Sequence, residues 1–242
     1  MRHRYGPHPR QFGDLYVPDG GGPFPVAVVL HGGFWRELRT LELTDDLARD
    51  LAHRGWAAWN VEYRRVGEGS GGGWPVTLED VGAAIDVVQT LDAPLDLGRV
   101  VAIGHSAGGH LALLAAGRAA PAVRLAGVVA QAGVTDLAEA DRLGLGEGAT
   151  AEFMGGHAAE LPDAYAQASP VEHVPLGVPV LLVHGDADER VPLGQSTAYA
   201  EAARTADDEV ELVVRPGEDH FVHIDPAAGA WADVVGWLAR FG

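Results

Sequence analysis

The 242-residue sequence contains no cysteine, which excludes a disulfide framework, a thiol nucleophile and any cysteine-ligated zinc. It contains no lysine either; all 17 basic residues are arginine. Schiff-base chemistry, anchored pyridoxal phosphate, the phosphate-loop lysine and the Ser-x-x-Lys hydrolases are therefore excluded. Positive charge is scarce against 34 acidic residues, and the formal net charge is −17. Such a chain repels phosphate backbones, so neither nucleic acid nor an anionic membrane surface is an expected partner. Long apolar runs are missing as well. No stretch reaches the ~18 residues of a membrane span. Arg2, Arg4 and Arg10 are not followed by the roughly 7–15 apolar residues of a signal peptide, so a cytoplasmic protein is the default expectation. The chemistry left to this chain rests on Ser, His, Asp, Glu, Arg and Tyr.

What is present has a rhythm. Short runs rich in Val, Ile and Leu at 26–30, 56–61, 100–103, 125–130, 180–184 and 210–214 alternate with helix-length segments at 41–54, 77–91, 106–117, 193–204 and 229–241. Apolar runs without polar alternation predict strands buried on both faces, and their alternation with helices predicts an α/β architecture with a mostly parallel sheet of about eight strands, the first at 12–17. The length fits one domain over residues 1–242. Residues 135–170 break the rhythm and read as a small cap or insertion at the sheet edge. The glycine-rich stretch 67–73 reads as a mobile loop at a pocket edge.

In open α/β sheets, ligands bind beyond the carboxyl ends of the strands. The segments following the runs are His31-Gly32-Gly33-Phe34-Trp35, Gly104-His105-Ser106-Ala107-Gly108-Gly109-His110, His184-Gly185-Asp186-Ala187-Asp188 and Gly217-Glu218-Asp219-His220, all expected on one rim. Gly104-x-Ser106-x-Gly108 between a strand and a helix fits a nucleophile elbow, in which bulky side chains two residues either side of the serine would collide. The helix N-terminus behind it favours developing negative charge. His31-Gly32-Gly33 fits an oxyanion loop, with the amides of Gly33, Phe34 and Ala107 as donors. A serine nucleophile needs a base, and the base an orienting acid. Placement beyond the last strand favours His220, with His223 as the alternative. Reach beyond the 180–184 run favours Asp188, with Asp186 as the alternative. His31, His105, His110 and His184 read as structural neighbours. A metal site built from His31, Asp186, Asp188, His220 and His223 would consume the same side chains, so no metal and no cofactor is expected.

The segments HGGFW (31–35), GHSAGGH (104–110), HGDADERVP (184–192) and GEDHF (217–221) resemble the α/β-hydrolase fold serine hydrolases, over nearly the whole chain. The resemblance implies that Asp188 is the triad acid and His220 the triad base. HGG followed by an aromatic residue and Trp resembles bacterial carboxylesterases and kynurenine formamidase-like hydrolases. Phe34 stands where the lipase-type pattern has a third glycine, and residues 1–17 are too few for the N-terminal cap of that group.

The expected activity is hydrolysis of small carboxylic esters through an acyl-enzyme. Hydrolysis of an aryl formamide such as N-formylkynurenine is the alternative, and a ligand receptor on a hydrolase scaffold is the reading from another class. Trp35 and Trp74, with Phe153, Met154 or Tyr165 from the insertion, are the expected walls of a small apolar pocket. The expected partner is a small ester or amide substrate, and no motif specifies an oligomeric state.

Overall fold

A computed structural model describes all 242 residues. Eight strands form one sheet: β1 (Arg2–Arg4), β2 (Phe12–Tyr16), β3 (Phe24–Leu30), β4 (Ala57–Glu62), β5 (Leu95–His105), β6 (Gly127–Gln131), β7 (Val180–Gly185) and β8 (Val210–Arg215). Their spatial order is β1-β2-β4-β3-β5-β6-β7-β8. β1 and β2 are antiparallel, and β4 through β8 run parallel with β3. This is the α/β-hydrolase fold. The short β1 has no apolar pattern and was not legible in the sequence; it is held by pairing with β2, and Arg2 forms an ion pair with Asp14.

Eight α-helices cover the sheet: α1 (Asp45–His53), α2 (Val76–Asp86), α3 (Ala107–Ala116), α4 (Leu137–Arg142), α5 (Ala149–Met154), α6 (Pro162–Ala168), α7 (Gly194–Thr205) and α8 (Gly229–Leu238). The period-2 geometry of a strand divides the core in two. Val26, Val28 and Leu30 of β3 join α2, α3 and α7 on one face. Ala27 and Val29 join α1 and α8 on the other. Both faces are covered, so β3, β4, β5, β6 and β7 read as continuous apolar runs. The expected helix at 41–54 is broken: residues Leu41–Thr44 form a 3₁₀ turn and α1 starts only at Asp45.

Two expectations need correction. Residues 135–170 do not leave from an edge strand. They leave from β6, an interior strand, as α4, α5 and α6. Phe153, Met154 and Tyr165 point into the core rather than a pocket. Segment 67–73 is pinned rather than free: Ser70 is buried and its hydroxyl accepts the Arg65 N–H, while the Gly72 N–H donates to the Arg65 carbonyl.

Candidate active site

The loops after β3, β5, β7 and β8 converge because these parallel strands end on the same rim. β5 runs straight into Ser106, which takes φ +56° and ψ −120°, and α3 begins at the next residue. A β-carbon on Gly104 would stand 2.1 Å from the Gly108 carbonyl oxygen, and one on Gly108 would stand 2.1 Å from that of Leu30. The collision argument for glycine at both positions therefore holds in three dimensions. The Ser106 N–H donates to the Gln131 carbonyl at 2.8 Å, fixing the turn to the end of β6.

His220 and Asp188 come together from separate loops. His220 Nδ1 lies 2.6 Å from Asp188 Oδ2, and the Asp188 side chain is fully buried. Asp188 Oδ1 accepts the N–H groups of Arg190 and Val191 at 2.8 and 2.9 Å. Burial alone would raise the Asp188 carboxyl, but hydrogen bonds from His184 and His220 outweigh it and hold the group well below the usual carboxylate range. Asp186, the alternative acid, accepts the Gly217 N–H at 2.6 Å instead. It ties the loop carrying His220 to the loop carrying Asp188. His223, the alternative base, is fully buried, and its Nε2 accepts the Gly185 N–H at 3.2 Å.

The other histidines serve the frame. His105 Nε2 donates to the His220 carbonyl at 2.9 Å, and the two rings lie 4.6 Å apart. His110 Nδ1 accepts the Trp35 indole N–H at 3.1 Å, which leaves Nε2 protonated to donate to the Ala168 carbonyl at 2.8 Å. Burial lowers His110 to about 4. His31 hydrogen-bonds the Gly32 carbonyl through Nδ1 at 2.7 Å and stacks on Tyr63, whose hydroxyl donates to the His31 carbonyl. Its Nε2 lies 3.4 Å from Glu62, which also pairs with Arg65 at 2.9 Å. Arg65 in turn donates to the Arg39 carbonyl. These buried groups hold the loop after β3 at both ends. Composition gives no hint of them, because Glu62 and Arg65 read as ordinary surface charges.

Gly33, Phe34 and Trp35 all take positive φ, so the backbone of this loop coils tightly beside the elbow. Gly32 packs closest: a β-carbon there would stand 3.0 Å from the Ser106 β-carbon. Ser106, His105 and His220 line a cleft of about 120 Å³ together with Gly33 and Phe34. Its apolar walls are Leu38, Leu43 and Phe221, and Arg39 and Arg190 complete it. Ala107 is buried beneath it as the first residue of α3, where an amide has no partner within the helix.

The expected aromatic walls do not reach this cleft. Trp35 is 1% exposed and stacks on Phe153 at 4.6 Å. Trp74 packs edge-on against the same ring. Trp35 fills the core because it turns inward to give its indole N–H to His110, and the half-buried Trp74 packs against that core. Phe221, a wall that the sequence reading missed, follows His220 directly in sequence and is exposed in the structure. A larger cavity of about 650 Å³ lies between β2 and α1, lined by none of the candidate residues.

The family model BD-FAE matches residues 14–202. The chain belongs to the BD-FAE family. Among curated proteins it is similar to esterase LipQ of Mycobacterium tuberculosis, at 29% identity over 197 residues. That alignment takes in 75% of this chain and 46% of LipQ, so the chain spans about half the length of the curated relative it matches. Among solved structures it is similar to a truncated carbohydrate esterase from gut microbiota, with a TM-score of 0.87 at 21% identity over 99% of this chain and 94% of the other. It is also similar to the thermophilic esterase Est2 of Thermogutta terrifontis, with a TM-score of 0.78 at 22% identity over 100% of this chain and 90% of the other. At these identities the structural likeness is one of fold.

Proposed function

We propose that this protein is a serine hydrolase acting on small carboxylic esters. The observation that carries the reading is the 2.6 Å hydrogen bond between His220 Nδ1 and Asp188, with the His220 ring sharing one small cleft with the elbow serine Ser106. In this mechanism His220 Nε2 takes the Ser106 proton as Oγ attacks the ester carbonyl. Asp188, held ionised, fixes the tautomer that leaves Nε2 free and stabilises the imidazolium that forms. The amides of Gly33, Phe34 and Ala107 receive the developing oxyanion. His220 then returns the proton to the leaving alcohol, and water releases the acid by the same steps in reverse. No cofactor enters this scheme.

Ester rather than formamide hydrolysis is favoured by the esterase designation of LipQ and of the similar solved structures. No helix is long and apolar enough to cross a membrane, and a small-molecule substrate suits the size of the cleft. A fluorophosphonate probe tests the reading. It is expected to label wild type and not Ser106→Ala, while a panel of p-nitrophenyl esters beside N-formylkynurenine ranks the two substrate classes. An unlabelled wild type would support the receptor reading. Faster turnover of N-formylkynurenine than of every ester would make the protein an arylformamidase.

A further inference from the structure

Twelve of the 17 arginines form an ion pair with a carboxylate. With two acidic residues per arginine, that is the expected fate of a guanidinium in this chain. Five depart from it: Arg4, Arg124 and Arg204 lie away from the cleft, and the other two are Arg39 and Arg190. Neither side chain has a protein partner, and both line the cleft that holds Ser106 and His220. They come from separate loops, Arg39 after β3 and Arg190 after β7. The acids nearest to them in sequence are engaged or turned away. Glu37 pairs with Arg10 at 3.2 Å, Asp188 is bonded to His220, and Glu189 is exposed outside the cleft.

No Asp or Glu lines the cleft at all. A chain of net charge −17 thus carries a cleft whose permanently charged lining residues are both positive. The Arg39 backbone is fixed as well, because the buried Arg65 holds its carbonyl and its Cβ packs against Gly33.

We propose that Arg39 and Arg190 recognise a carboxylate on the substrate, so that the preferred substrate is an ester carrying a second, anionic group. This rests on the hydrolase reading above. The planar guanidinium fork matches a carboxylate in two parallel hydrogen bonds, and two such forks flanking one small cleft fix the orientation of the ester as well as its charge. A purely electrostatic role, in which the arginines stabilise the oxyanion, would speed neutral and anionic esters alike. Anion recognition changes their ratio.

The experiment compares charged and neutral isosteres. With the carboxylate on the leaving group, the pair is 4-acetoxybenzoate and 4-acetoxybenzamide. With it on the acyl group, the pair is monophenyl fumarate and phenyl fumaramate, whose trans geometry keeps the carboxylate from attacking its own ester. Each kcat/KM is divided by the rate of uncatalysed alkaline hydrolysis. The anionic member is expected to win by about tenfold in at least one pair at low salt. That ratio is expected to fall towards one in 1 M NaCl and in the Arg39→Gln/Arg190→Gln double variant. The pair that responds places the anion on the acyl or the alcohol side. Calorimetric binding of the same compounds to Ser106→Ala reads the site without turnover, and the anionic member is expected to bind more tightly there too. A ratio at or below one in both pairs, or one that the double variant leaves unmoved, overturns the proposal. If wild type hydrolyses none of the four, fluorophosphonate labelling decides the hydrolase reading, and the binding measurement alone decides the anion site.

Discussion

His220 Nδ1 lies 2.6 Å from Asp188 Oδ2, across 32 residues of sequence, and the second oxygen of Asp188 is taken by two backbone N–H groups of its own turn. The carboxylate is therefore held by its loop independently of the histidine. Asp188→Asn is expected to keep the loop, since the amide oxygen still accepts from Arg190 and Val191. It puts a donor where His220 needs an acceptor and so favours the wrong tautomer. A fall of roughly 10⁴ in kcat for p-nitrophenyl acetate is expected from a protein that still folds, with a lowered unfolding midpoint because the stability contributed by the ionised carboxylate is lost. A fall of less than tenfold would remove Asp188 from the mechanism.

Ser106→Ala and His220→Ala should cost about the same, on the order of 10³-fold or more in kcat, because nucleophile and base act as one unit. His223→Ala should behave differently. Its ring accepts the Gly185 N–H in the core, so its removal is expected to lower thermal stability while kcat stays within about tenfold of wild type. Steady-state kinetics beside thermal denaturation separates these outcomes. An inactive, fully stable His223→Ala protein would make His223 the base.

Gly32→Ala tests the proposed oxyanion loop without replacing a reacting group. The added methyl would stand 2.9 Å from His105 Nδ1, 3.0 Å from the His105 carbonyl oxygen and 3.0 Å from the Ser106 β-carbon. The loop must retreat from the elbow, and amide donors displaced by even part of an ångström lose their aim at the oxyanion. A loss of about 10² in kcat is expected with little change in KM. A variant of wild-type kcat would show that the loop after β3 does not stabilise the transition state.

The apolar walls Leu38, Leu43 and Phe221 enclose about 120 Å³, which favours short acyl groups. Across p-nitrophenyl esters, kcat/KM should peak between acetate and butyrate and fall at least tenfold by octanoate, about 1.4 kcal/mol of transition-state binding. A profile that rises towards long chains would require a groove that this cleft does not provide.

Acid stability should be set by buried histidines. Burial lowers His110 and His223 to about 4 from an ordinary 6.5. Between those values the unfolded chain binds more protons than the folded one, so stability is lost as pH falls through this window, by about 3 kcal/mol for each ring. Asp188 acts lower. Its depressed carboxyl contributes fully above the ordinary 3.8 and is lost only as pH falls further. Urea unfolding at pH 7 and pH 4.5 is expected to show the loss. His110→Gln is expected to shrink it by on the order of 2 kcal/mol, because an amide can accept from Trp35 and donate to Ala168 without titrating. An unchanged loss in that variant would exonerate His110.

The alternation of buried strands and helices, the elbow glycines and the four loops of the rim were legible in the sequence, because each depends on local constraints. A strand buried on both faces must be continuously apolar, and a strand that turns sharply into a helix cannot carry side chains where Gly104 and Gly108 stand. The sequence favoured Asp188 over Asp186 and His220 over His223, but which carboxylate touches which ring is a matter of tertiary structure: Asp188 bonds the His220 ring, Asp186 the Gly217 N–H, and His223 the Gly185 N–H. All four lie within a few residues of a strand end, and only the meeting of two loops determines which pair touches. The same holds for the walls of the cleft. Trp35 follows the proposed oxyanion loop directly in sequence, yet positive φ at Phe34 and Trp35 turns its ring inward onto Phe153 and His110. The aromatic side chains of the insertion pack into the core beneath that loop. Arg39 and Arg190 are two of seventeen arginines in the sequence. That their side chains pair with no carboxylate arises from long-range folding, which places them in a cleft from which acidic side chains are absent.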